Sequence, residues 1–427
     1  MLTMRTILLL PLLGVFSFYQ SASAATLQEA FQSALQKNET VGLNQVQVVQ
    51  ARERVSQLRG GLYPQVALNA THLVQPEPSD PIARDIFPDK QTTINLSATQ
   101  VLFRGLREFA GLRQQKDLVR AQEEARNQAL LSLYQDVSMA YLTVLNLERD
   151  LKNLEVQTKL YEDRVTELQG RARRGESNTN EVLTAQSTEA ALKAEAQLSR
   201  GQLKMARENF AFVTGLPVDE VLSDPDLAGG KRLSSVDHYL SRLEERYDIK
   251  AAREQLAAAE EEVSIAKGAH WPSLDVTGNY YFKRPPGFTE DLTWDVQFNF
   301  TLPIFEGGTT QSKVRSAAAK KLEAELTLAR LRRQARQEIS SYYETFLTRQ
   351  KQVEALQKSA ALAEKNYQVM QRDYRRGLAR NIDVQMALTD FRTATRSLDQ
   401  ARFNVQMDLI RLQIASAEIA APAVKED

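Results

Sequence analysis

Two hydrophobic periods divide the chain. After Pro64, alternate residues fall on opposite faces: Val66, Leu68, Ala70, His72 and Val74 on one, Gln65, Ala67, Asn69 and Thr71 on the other. A return strand sets Ile94, Leu96, Ala98 and Leu102 against Thr93, Asn95, Ser97 and Thr99, with Gln100 interrupting the apolar face. Later the pattern is cleaner. Leu274, Val276, Gly278, Tyr280 and Phe282 oppose Ser273, Asp275, Thr277 and Asn279; Leu292, Trp294, Val296, Phe298, Phe300 and Leu302 oppose Thr293, Asp295, Gln297, Asn299 and Thr301. Period two predicts strands over about 64–75, 91–103, 272–283 and 291–303. Strands apolar on one face and small-polar on the other suit a membrane barrel with a wet interior, and equally a sheet with one face on a core. Aromatics near the strand ends (Tyr280, Tyr281, Phe282, Trp294) favour the membrane interface. Four strands cannot close alone, because membrane barrels start at about eight. Two copies would supply eight strands and three copies twelve.

Elsewhere the period is helical. Gly105 to Gly175 and Gly307 to Gly377 are equal intervals without proline, so each predicts one very long helix. Shorter helices are predicted over Thr26–Gly60, Val182–Thr214, about Ser241–Gly268 and Val384–Glu418. In the last, Val384, Ala387, Phe391, Ala394, Leu398, Ala401 and Val405 are spaced three and four apart, a heptad seam for a neighbouring helix. Leu328, Leu331, Ala335, Ile339, Tyr342 and Phe346 form a similar seam in the second long helix. The short helices flank the long ones as a helical tube.

The chain repeats itself once. "LYPQVALNATHL" at 62–73 resembles "HWPSLDVTGNYY" at 270–281, placing Pro64 on Pro272, an offset of 208. "LFRG" at 102–105 resembles "IFEG" at 304–307, and "RRGESNTNEVLTA" at 173–185 resembles "RRGLARNIDVQMA" at 375–387; Phe103 to Phe305 and Gly175 to Gly377 are both offsets of 202. The repeats span 25–214 and 241–419. Between them, 215–240 is rich in Gly, Pro, Asp and Ser and predicts an irregular connector near the middle of the tube. The end, 420–427, predicts a flexible tail. Residues 1–24 have one charge, Arg5, an apolar run from Ile7 to Tyr19 and a small-residue site at Ala22-Ser23-Ala24, which predicts a signal peptide.

Composition narrows the chemistry. Lys+Arg and Asp+Glu are both 54, so no charge surplus points to nucleic acid. With no cysteine and three scattered histidines, there is no metal-binding motif. No phosphate loop or nucleophile elbow occurs, so the chain reads as a non-enzyme without cofactors.

The leader, the duplication, "LYP" opening a strand, "LFxG" closing a hairpin and a glycine break followed by "VxxA" resemble the TolC-like outer-membrane efflux proteins across 25–427. The resemblance implies a homotrimer in the outer membrane of a Gram-negative bacterium. Its twelve-stranded barrel would continue into a periplasmic α-helical tunnel. The partners implied are a periplasmic adaptor and an inner-membrane pump, in a tripartite efflux or type I secretion system. Asp275, Asp295 and Gln297 would face the barrel lumen. The two glycine turns would form the periplasmic tip, with Gly175, Gly377, Arg174, Arg376, Val182 and Val384 at the adaptor-docking turns.

In the family pattern, a tyrosine three before the second glycine and an acid six after it belong to the gate. Here these are Tyr374 and Asp383, with Glu181 six after the first glycine. The family's basic residue two after the glycine is Ala379, with Arg380 one place later, and its second acid is Met386. The gate expected is Tyr374 donating to Glu181, Arg380 offsetting the acids, and a ring of Asp383 that attracts cations. Asp383 and Glu181 also suit the first turns of their helices on charge alone. The other class of reading is a periplasmic or surface coiled-coil protein, structural or adaptor, without a pore.

Overall fold

The computed structural model describes residues 24–76, 78–80, 89–224, 233–285 and 289–422. The predicted leader lies outside them except for Ala24, as do 225–232 of the connector and 423–427 of the tail. The first repeat comprises α1 (Leu27–Lys37), α2 (Glu39–Gly60), β1 (Gln65–Val74), β2 (Lys90–Arg104), α3 (Arg107–Arg173) and α4 (Thr179–Thr214). The second comprises α5 (Val236–Ser241), a 3₁₀ turn (Leu243–Glu245), α6 (Tyr247–Gly268), β3 (Ser273–Lys283), β4 (Trp294–Thr301), α7 (Thr309–Arg375) and α8 (Asn381–Ala415).

The helix predicted over Thr26–Gly60 is broken at Asn38. Its backbone is extended, its side chain accepts from Thr40 N, and its amide donates to Val213 O at 3.1 Å. The break therefore ties the first repeat's short helices to the end of α4. No Pro or Gly marks it, and capping by Asn is the signal. The helix predicted from Ser241 begins instead at Tyr247, after the short helix α5 and the 3₁₀ turn. The last helix stops at Ala415 rather than Glu418, since Ala417 takes a positive φ of 53°.

Both long helices have 67 residues. They survive without a strong amphipathic stripe of their own because neighbours cover them piecewise. α2 and α6 flank the end of α3 nearest the sheet, α4 flanks its far half, and α6 and α8 do the same for α7. The heptad seams are largely interior: Val384, Ala387, Leu398, Ala401 and Val405 are buried, as are Leu328, Ala335, Ile339 and Phe346. At the midpoint of α3, the Tyr141 hydroxyl lies 2.8 Å from Ala25 O and close to Ser223 O, and Ala25 bridges Leu222. The described part of the connector thus packs beside the start of α1 halfway along α3.

Among the described residues the strands form one antiparallel sheet in the order β1-β2-β3-β4, open at β1 and β4. Val66 pairs with Ala98 and Leu274 with Phe300. The offsets of 208 (first strand) and 202 (second strand) carry one pair onto the other, so both hairpins share a register. One face is a row of small polar groups. Asn69 donates to Ser97 Oγ, Asn95 to Asn279 Oδ1 and Asn279 to Asp295 Oδ1, at 2.8–2.9 Å. The other face exposes Val66, Leu68, Leu96, Tyr280, Trp294, Val296, Phe298 and Phe300.

Two irregularities correct the strand reading. A bulge between Val101 and Phe103 leaves Leu102 out of the ladder and sets Phe103, not Leu102, opposite Leu274. Gln100, the polar interruption, donates to Leu62 O and Val101 O, satisfying carbonyls at the sheet's base. There, Gly105 adopts φ +66°, and a Cβ on it would sit 2.2 Å from Gly268 O. Only glycine lets α3 leave the sheet that close to the end of α6.

Candidate functional site

The far end of the molecule consists of two turns with one backbone. α3 and α7 each end in a left-handed glycine, Gly175 (φ 74°) and Gly377 (φ 77°). In each, the next residue's amide reaches back to the last turn: Glu176 N to Arg171 O and Leu378 N to Asp373 O, both 2.9 Å. These are Schellman closures, which need positive φ at the residue past the helix end.

The side chains differ. In the first turn, Arg174 pairs with Glu176 at 3.0 Å, and its guanidinium holds that carboxyl below the usual range. Glu181 accepts from Ser177 Oγ. In the second turn, Asp383 is the third residue of α8 and takes Arg380 N at 3.0 Å and the Arg380 guanidinium at 3.1 Å. Those hydrogen bonds, side chain first, lower the Asp383 pKa. The acid therefore caps its own helix and is neutralised from three residues away. Arg174 and Arg376 are exposed beside the glycines, Val182 is half-buried and Val384 is buried.

Within one chain Tyr374 does not hydrogen-bond Glu181. It is buried among Val165, Leu168, Ala185 and Val384. The Arg164 guanidinium lies 3.9 Å from its ring centroid and that of Arg171 4.8 Å. Arg164, whose side chain is 11% exposed, also donates to the buried Asn381 Oδ1 through Nε (3.2 Å) and Nη2 (2.5 Å), and pairs with Glu167 at 2.7 Å. One arginine of α3 thus grips the end of α7 and the start of α8. Neither Arg164 nor Asn381 is singled out by the motifs. The available signal was a charge beside Tyr161, Val165 and Leu168, apolar residues spaced four and three apart. Higher up, Arg396 of α8 bonds Asp150 of α3 at 2.8 Å and Asn153 bonds Asp399 at 2.9 Å, so the two helix pairs are tied repeatedly.

At the sheet, Asp295 accepts from Asn279 and pairs with Arg284 at 2.7 Å, and that guanidinium stacks 3.8 Å over the Tyr281 ring. Asp275 pairs with Arg104 at 3.0 Å. Gln297 lies opposite Thr277 on the same polar face. Among the described residues no helix is long and apolar enough to cross a membrane, and no His/Cys/Asp/Glu cluster could hold a metal.

The family described as "Outer membrane efflux protein" matches residues 30–216 and 239–418, both repeats. The chain belongs to the outer membrane efflux protein family. It is 23% identical over 433 residues to the outer membrane protein TolC of Escherichia coli K12, covering 95% of this chain and 86% of TolC. It is 24% identical over 394 residues to the probable efflux pump outer membrane protein TtgC of Pseudomonas putida KT2440, covering 87% and 78%. The fold superposes on CusC with a TM-score of 0.82 at 17% identity, over 94% of this chain and 95% of that one. VceC of Vibrio cholerae gives 0.80 at 20% identity, over 91% and 95%. This member of the family is therefore an outer-membrane efflux channel protein, and not an enzyme.

Proposed function

We propose that the protein is the outer-membrane exit duct of a tripartite efflux or type I secretion system. Three copies contribute four strands each to a twelve-stranded barrel, and their helices continue it as a periplasmic tunnel. The observation that carries this reading is the open sheet. It has one apolar face and one polar face, both edges are free, and it runs directly into two 67-residue helices. Lipid requires every backbone group to be paired, so copies must complete the ring. Asp275, Asp295 and Gln297 then line the lumen, and Val296 and Phe298 meet lipid.

The tip turns carry the gate and the docking face. Gly175, Gly377, Arg174, Arg376, Val182 and Val384 shape the surface offered to a periplasmic adaptor, which couples the duct to an inner-membrane pump. The gate comprises Tyr374, Asp383, Glu181 and Arg380, with Arg164 joining it as the residue that holds Tyr374 in the closed position. TolC, named an outer membrane protein, and TtgC, named a probable efflux pump outer membrane protein, support this assignment. A coiled-coil protein without a pore is disfavoured by the family match over both repeats.

The test is native mass and planar-bilayer recording of detergent-purified protein. A trimer with discrete conductance steps is expected; a monomer, or a trimer that never conducts, would overturn the proposal.

A further inference from the structure

The residue that follows the predicted leader is held on every side. Ala25, 7% exposed, donates its amide to Val221 O at 2.7 Å, and its carbonyl accepts from Ser223 N at 3.0 Å and from the Tyr141 hydroxyl at 2.8 Å. Thr26 then opens α1 with a capping box, in which Glu29 takes Thr26 N at 2.7 Å. The far end of α1 is fixed as well: Lys37 Nζ donates to Gly215 O at 2.8 Å, and Asn38 donates to Val213 O. α1 is thus a strap, tied at one end to 221–223 and at the other to 213–215. Chain ends fray unless something holds them, and here the strap begins at the leader's edge.

We infer that the leader is cut between Ala24 and Ala25, and that the α-ammonium so created is part of the fold, fastening the connector to α1 and α3. By sequence, Ala22 and Ala24 suit a cut after residue 24, while Ser23 and Ala25 suit one after residue 25. The structure separates the two, because a cut after Ala25 would remove the residue that makes all three bonds at the junction. In the hydrolysis, water adds to the Ala24 carbonyl carbon and the C–N bond breaks. The leader departs as a carboxylate, and Ala25 N takes up protons to become an ammonium with three donors.

The surroundings suit that charge. An amide needs one acceptor, which Val221 O supplies. The junction also holds two carboxylates. Burial raises the pKa of the Tyr141 hydroxyl, and the negative charges of Asp224 and Glu29 raise it further, so both acids act on this spot. Arg149 of α3 holds Asp224, and Ser223 Oγ lies 3.2 Å from the Tyr141 hydroxyl. With the leader attached, two acids face one arginine and a neutral N–H; after the cut they face two cations. The order of events follows. The nitrogen of the scissile bond is the atom that Val221 O accepts, in a buried residue, so a processing peptidase must reach it before the connector closes over α1.

The tests use full-length protein purified from membranes. N-terminal sequencing should read Ala25-Thr26-Leu27; a chain beginning at another residue would overturn the assignment. An aldehyde reagent selective for α-amines should modify the folded protein at least tenfold more slowly than the denatured one; equal rates would mean an unfastened terminus. Inserting Ser-Gly between Ala24 and Ala25 keeps the cut but moves the ammonium about 7 Å along the chain. Hydrogen exchange at the Ser223 amide should then quicken at least tenfold, while the amides of α3 around Val165 keep their rates. Asp224→Asn should quicken the Ser223 amide in the native chain and add little in the extended one. An insertion without effect on that amide, or an equal effect of Asp224→Asn in both chains, would remove the ammonium from the junction. None of these outcomes depends on whether the protein conducts.

Discussion

The two tip turns share a backbone and little else. At an offset of 202, Glu176, Asn180 and Thr184 of the first turn become Leu378, Ile382 and Met386 of the second, all three exposed. Ala172 becomes Tyr374 and Thr179 becomes Asn381, while Arg164 becomes Asn366. The Schellman closure was kept in both turns because reversing a long helix demands it. The side chains diverged, so the second turn holds the ring and the buried amide that an arginine of the first repeat grips. A duplicated element that must still fold the same way, yet carries the exposed apolar residues and the clamped ring and amide in one copy only, points to work done by that copy.

The largest effect should come from the clamp. Arg164→Leu leaves Asn381 Oδ1 buried without its arginine donor and removes the nearer of the two cations from the Tyr374 ring, a loss of about 2 kcal/mol. In a two-state aperture this shifts the open population roughly thirtyfold. Single-channel recording should show a large rise in low-voltage conductance. Arg173→Leu, on the exposed side of the first turn, should leave it unchanged; equal effects would erase the asymmetry.

Next comes the exposed apolar stripe. Converting the second turn to first-turn chemistry with Leu378→Glu, Ile382→Asn and Met386→Thr should reduce pump-dependent drug resistance about fourfold or more. The melting temperature of the isolated protein should stay put, since exposed substitutions away from special features lie within about 0.5 kcal/mol. A substantial fall in melting temperature would mean that the stripe stabilises the fold.

The shared backbone should show as equality. Gly175→Ala and Gly377→Ala place a Cβ in open space, so only the left-handed φ is penalised, at about 1–2 kcal/mol. Chemical denaturation should report similar losses for both.

The smallest effect concerns pH. Asp383 and Glu176 have folded pKa values below their ordinary ones, held there by Arg380 and Arg174. Each contributes stability that is fully present above the ordinary value, about 4, and lost as pH falls through the lowered one. The melting-temperature gap between wild type and Asp383→Asn should be flat from pH 8 to 5 and close below about pH 4; Glu176→Gln should behave alike.

Much of this architecture was legible because its signals are long. Two equal proline-free intervals bounded by glycines gave helices of 67 residues, and strict alternation placed four strands and their faces. What escaped was local. Asn38 breaks a helix by capping where composition shows no breaker, and the bulge at Leu102 exchanges two apolar neighbours that alternation cannot rank. The Tyr374–Glu181 hydrogen bond was drawn from a motif confined to the turns. Arg164, the ring's partner within one chain, lies on another helix, 11 residues before Gly175, and only packing brings it to the ring.

The junction between β2 and β3 sets the tempo of folding. Within the first hairpin, Asn69 meets Ser97 across 28 residues, whereas Asn95 meets Asn279 across 184. Closing the longer loop costs about 1.7 kcal/mol more in chain entropy, and no contact at the junction compensates until most of the polypeptide is in place. Each hairpin can therefore form early and then wait with adhesive edges on both sides. During that interval, docking on a neighbouring chain competes with docking on its own second half. Production rate should consequently decide how much chain matures and how much aggregates, and slow synthesis should favour the native product.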